Sequence, residues 1–157
     1  MLRRSRAGED HAPMPSSVSK GLAMDIIKAV EHIKKEFRNI DGPVTIPLLK
    51  GGTFTAKLVD EGIEVDNLGN LPFLHWSAFQ EAVCALIRNG GRALRGDAMN
   101  SRLGDPNLSL DSIEGHVAHV VYGKRIGETV FRRITPISCI LIWSGLCRAE
   151  PHELVLL

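Results

Sequence analysis

The sequence predicts an α+β fold: an N-terminal amphipathic helix, a small antiparallel β-meander and a C-terminal helical bundle with a helix-turn-helix-like unit. Three observations carry that expectation. Apolar residues recur at spacings of three and four from Leu22 to Ile40, the period of a helix with one buried face. From Val44 to Val65 apolar and polar residues alternate, the period of a half-buried strand. Beyond Ser77 the helical period returns in separate runs broken by Gly and Pro.

In the first helix, Leu22, Ile26, Val30, Ile33, Phe37 and Ile40 form the apolar stripe, and Lys28, Glu31, Lys34, Lys35 and Arg38 fill the other face. Asp41-Gly42-Pro43 stops it. Three short strands follow, around Val44 to Leu48, Thr53 to Leu58 and Ile63 to Val65, with turn signals at Gly51-Gly52 and Asp60-Glu61-Gly62. Pro47 lacks a ladder donor, so its strand belongs at an edge. After a loop over 67–72, Ser77 to Gln80 has capping-box spacing and opens a second helix. Its stripe is Trp76, Phe79, Val83, Leu86 and Ile87, and Asn89-Gly90-Gly91 ends it.

Residues 92–107 show no period. A connection of that length is functional or hides a short element. Asp111 to Glu114 is another capping-box spacing, with Ile113, Val117, Val120 and Val121 as the buried stripe of a third helix that stops at Gly123. Glu128 to Ile134 reads as a short helix. Thr135-Pro136 then starts a last helix to about Cys147, apolar on nearly every face and therefore central. The tail, Leu154 to Leu157, adds a strand or packs as a flap.

A chain of 157 residues with 44% apolar and 24% charged residues reads as one ordinary globular domain. Residues 1–20, rich in Arg, Pro and Ser, are expected to be a disordered extension, and 21–157 a single α+β domain. No apolar run approaches the roughly 20 residues of a membrane helix, and no apolar core follows Arg3, Arg4 and Arg6 as in a secretory signal. A cytoplasmic location is expected. Cys84, Cys139 and Cys147 are odd in number and form no C-x-x-C pair, so they read as core residues in a reducing compartment. No cofactor is expected.

The net charge of +1 exerts no global pull, so any anion binding rests on local clusters. Two exist. One is Arg88, Arg92, Arg95 and Arg102; the other is Lys124, Arg125, Arg132 and Arg133. Phosphates are contacted by such cations, by backbone N–H groups and by helix N-termini. The span from Ile113 to Ile134 resembles the helix-turn-helix unit of many bacterial DNA-binding regulators. Val117-Ala118 stand in its first helix, Gly123 and Gly127 bound the turn, and Val130 and Ile134 are buried positions of the second helix. The resemblance covers about 22 residues and implies a nucleic-acid-binding protein, DNA before RNA, with a regulatory role. Lys124, Arg125, Arg132 and Arg133, joined by Arg92 and Arg95, would contact the nucleic acid. The turn is longer than the tight version of the motif and Pro136 truncates the second helix, which favours phosphate contact over base readout.

Other readings stand beside it. These cations can be plain solvated surface. The span from Asp60 to Glu81 contains acids and no Lys or Arg, so an acidic face could meet a basic one in a homodimer or another protein complex. His116 and His119 sit at i and i+3 and could share a metal, with the remaining ligands from elsewhere. The sequence holds no P-loop, no G-x-G-x-x-G, no G-x-S-x-G and no acid two residues before a Lys. An enzyme is therefore not favoured, and a metal-dependent hydrolase or nuclease is what remains of that class.

Overall fold

The structure, a computed structural model, describes residues 16–157. It is an α+β fold with four α-helices and two antiparallel sheets among the described residues. Most of the stretch expected to be disordered, 1–15, lies outside them, as does the side chain of Leu22; helix α1 spans Ser16–Arg38. Its buried face is Ile26, Ala29, Val30, Ile33 and Phe37. Ile40, expected on the same stripe, is exposed because the helix ends before it.

The meander is β1 (Val44–Pro47), β2 (Thr53–Val59), β3 (Gly62–Val65) and β4 (Phe73–His75), hydrogen-bonded in sequence order. Pro47 lies on edge strand β1, where no ladder donor is lost. The register sets inward residues opposite one another: Ile46 with Phe54, Val44 with Ala56, Ala56 with Val65, Ile63 with Leu74. All are buried, so one face of the sheet closes the core. β4 is a fourth strand that three residues are too few to announce.

Helix α2 (Trp76–Arg88) is the hub. It touches α1, α3 and α4 and strands β4, β5 and β7. Its cap is not Ser77: His75 stands at the N-cap and its Nδ1 accepts the Ser77 N–H at 3.0 Å. The unassigned stretch after α2 contains β5 (Arg92–Leu94) and a single 3-10 turn, Pro106–Leu108. Helix α3 (Ile113–Val120) is capped by Ser112, whose Oγ accepts from Gly115 N, rather than by Asp111. Val120 is exposed, contrary to the expected stripe, because α3 is only two turns long and its last residue falls outside the packed face.

Helix α4 (Ile134–Trp143) is buried over Ile134 and 136–141 and packs on β1 and β6. Strands β6 (Cys147–Glu150) and β7 (Glu153–Leu156) join β5 in a second sheet of order β5-β7-β6. The tail is thus a strand. All three cysteines are free and buried. No described helix is long and apolar enough to cross a membrane.

The largest departure lies over 121–133. The short helix expected from Glu128 does not form, and those residues are turns and irregular backbone. Gly127 and the turn from Arg125 to Glu128 interrupt the period before a helical turn can close, and helix begins only at Ile134.

Candidate nucleic-acid interface

Two connections, 95–112 and 121–133, fold against each other beside α3. They exchange backbone hydrogen bonds, Gly127 N to Leu103 O at 2.8 Å and Leu103 N to Glu128 O at 3.0 Å. Leu103, Leu108, Ala118 and Val130 form a small core beneath them, separate from the main one. Gly104 has φ +101°, a left-handed conformation that favours glycine, and the Ile126 side chain lies over it.

Three acids of these connections turn onto backbone N–H groups. Asp105 Oδ2 accepts from Arg102 N at 2.7 Å and Glu128 Oε1 from Arg125 N at 2.7 Å, each closing a tight turn. Asp97 Oδ1 accepts from Asn100 N. The side-chain hydrogen bond from Asn100 holds the Asp97 carboxyl below its ordinary value, and the Asn100 and Met99 amides and the charge of Arg132 act in the same direction. The Arg125 amide and the Arg125 and Lys124 charges do the same for Glu128.

Glu114 is the buried member, 1% exposed. Its Oε1 accepts from Arg133 N at 2.8 Å and Ile134 N at 2.9 Å. A carboxylate of α3 therefore caps α4, meeting N–H groups that have no partner within their own helix. Burial pushes this carboxyl up to about 7, against the pull of the two N–H groups and of Arg133 and Arg132. Arg133 itself lies over the Tyr122 ring, 3.6 Å from its centroid, and within 4.8 Å of the Phe131 centroid, a cation–π stack that fixes the base of the loop.

Of the six cations singled out in the sequence, Lys124, Arg125, Arg132 and Arg133 lie on the 121–133 loop. Arg132 Nη1 reaches Met99 Sδ across the loop pair at 2.6 Å, and Arg102 Nη1 donates to Gly127 O. Arg92 and Arg95 are engaged elsewhere. Arg92 pairs with Glu153 at 2.5 Å, and Arg95 Nη1 donates to the carbonyls of Glu150 and Glu153, so both tie β5 to the β6–β7 hairpin. Beside the loop cations stand three exposed apolar side chains, Met99 (68%), Ile126 (62%) and Phe131 (38%).

The two histidines do not share a site. His119 Nδ1 donates to Lys124 O at 2.8 Å and helps close the end of α3. His116 Nε2 donates to Glu81 Oε1 of α2 at 2.8 Å. Glu81, Cys84 and His116 form a mixed donor cluster, its three donor atoms all within 4.8 Å of one another. Burial lowers the His116 imidazolium, but the neighbouring Cys84 and Glu81 outweigh it and raise the group to about 9. Glu81 and Cys84 were not singled out in the sequence; their i, i+3 spacing on α2 was the available signal.

No family model, curated protein or solved structure matches this chain.

Proposed function

We propose that this protein binds nucleic acid, DNA in the first instance, through the paired loops 97–105 and 121–133. The observation that carries the reading is the division of labour among charges there. Asp97, Asp105, Glu114 and Glu128 accept hydrogen bonds from the loops' own N–H groups. Arg102 and Arg132 donate to uncharged acceptors, Gly127 O and Met99 Sδ, so with Lys124 and Arg125 they keep positive charge on an ordered surface. The one ion pair these cations make among the described residues, Arg125 with Glu128, is 3.9 Å long and exposed, which makes it weak. Phosphate contact by Arg and Lys suits such a face. The exposed Phe131 and Ile126 beside the cations suit stacking on, or wedging between, bases. Contact is made by loops rather than by a recognition helix, since 121–133 is not helical.

The test is fluorescence anisotropy of labelled duplex and single-stranded DNA and RNA across salt concentrations. Engagement of three or four cations gives a slope of about −3 in log affinity against log salt on duplex DNA. Arg125→Glu with Arg132→Glu lowers affinity by roughly tenfold or more at low salt and flattens the slope by about 2. An unchanged affinity and slope in that double variant overturns the reading. Salt-sensitive dimerisation without nucleic-acid affinity would replace it with the protein-interaction reading.

A further inference from the structure

We propose that Glu81, Cys84 and His116 form a zinc site, with a carboxylate oxygen, the thiolate sulfur and an imidazole nitrogen as ligands and a fourth position open to water on the Glu81 side. It is independent of the nucleic-acid interface.

Glu81 and Cys84 stand one turn apart on α2 and present their donors to α3, where His116 faces them. Such a pair on one rigid helix, completed by a ligand from a packed neighbour, is held by the fold and not by a loop. The donor atoms already lie within 4.8 Å of one another. Tetrahedral zinc, with bonds of roughly 2.0 to 2.3 Å, needs its ligand atoms about 3.3 to 3.7 Å apart. Glu81 Oε1 and His116 Nε2, now 2.8 Å apart, would open slightly to admit the ion.

The chemistry of the set favours zinc. Thiolate and imidazole suit a borderline-soft cation, and magnesium or calcium would take oxygen ligands. The charges balance: one thiolate, one carboxylate, a neutral imidazole and Zn²⁺ sum to zero, so the filled site suits a half-buried place between two helices. Metal binding displaces the protons held among these ligand atoms, and the Glu81–His116 hydrogen bond is exchanged for two metal bonds. The side chains of His116 and Glu81 are 13% and 28% exposed, while Cys84 is buried. An ion therefore enters past Glu81, and a water completes the tetrahedron there, as in three-ligand zinc sites.

The test uses Co²⁺ as a spectroscopic probe on the full chain, kept reduced. One equivalent is expected to bind with a sulfur-to-cobalt charge-transfer band in the near ultraviolet, and added Zn²⁺ to abolish that band. Cys84→Ser should lose the band, whereas Cys139→Ser and Cys147→Ser keep it. Glu81→Gln, at a partly exposed position, should weaken cobalt binding by roughly tenfold or more while circular dichroism stays native; it carries the test should Cys84→Ser fail to fold. Absence of the band in the reduced native protein overturns the proposal. So does a band that survives Cys84→Ser, or a cobalt affinity unaltered in Glu81→Gln.

Discussion

The four-stranded meander and the paired loops are held in opposite ways. In the meander each strand donates to the next, and the inward residues Ile46, Phe54, Ile63 and Leu74 meet across the ladder. Every contact there repeats every second residue. The loops repeat nothing. Asp105, Glu114 and Glu128 each satisfy particular N–H groups, and four apolar side chains make a private core. Periodic burial builds a scaffold that opens as a whole. Single carboxylate caps build a surface whose parts can change separately, a better platform for binding than for stability.

The comparison breaks most sharply at the two cores. Ile63→Ala empties a fully buried position of the main core and should cost about 4 kcal/mol of unfolding free energy by urea titration. Leu103→Ala empties the small core and should cost about 3 kcal/mol. Its effect should be local: native-state hydrogen exchange should show faster exchange at amides of 97–108 and 121–133 and unchanged protection in β2 and β3. Equal loss of protection in the meander would make the two regions one cooperative unit.

A smaller effect sharpens the contrast through pH. The Glu114 carboxyl sits at about 7 in the folded chain against an ordinary 4.5. The folded state thus holds this proton more tightly than the unfolded one. The associated stability is fully present below about 4.5 and is lost as pH rises through about 7, amounting to about 3 kcal/mol. Wild-type urea midpoints should fall between about pH 5 and pH 8, and Glu114→Gln, which still accepts from the amides of Arg133 and Ile134, should remove most of that fall. His116, raised to about 9, adds a decline of the same sign that continues to higher pH and persists in the variant.

The smallest effect has the opposite sign. Ser138 Oγ on α4 is buried with no hydrogen-bond partner among the described residues. Ser138→Ala removes an unsatisfied hydroxyl and should stabilise the fold by about 1 kcal/mol in the same titration.

The scaffold was largely legible in the sequence because its signals are local. Val44 to Val65 alternates, and Ile26, Val30, Ile33 and Phe37 of the expected α1 stripe are buried. β4 escaped because Phe73–His75 is too short to show a period. The loop surface was legible only as a cluster of cations. The role of Glu114 was not, since an acid three residues after Asp111 looks like half of a capping box, and its true partners lie 19 and 20 residues downstream. The same holds for Glu81, whose imidazole partner is 35 residues away. Arg92 and Arg95 looked like their neighbours in the sequence, and only the β6–β7 hairpin distinguishes them.

The Glu114 clamp makes the excursion from α3 to α4 a ring without a covalent closure. Its two feet, Glu114 and Arg133, are joined by one buried carboxylate across 19 residues. Rings of this kind are inexpensive to enlarge: doubling a flexible loop adds only about 0.6 kcal/mol of closure entropy. Residues inserted at the exposed tip around Arg125 and Ile126 would thus leave the scaffold nearly untouched while redrawing the face that it displays. The clamp separates what the chain must keep in order to fold from what it is free to vary at its surface.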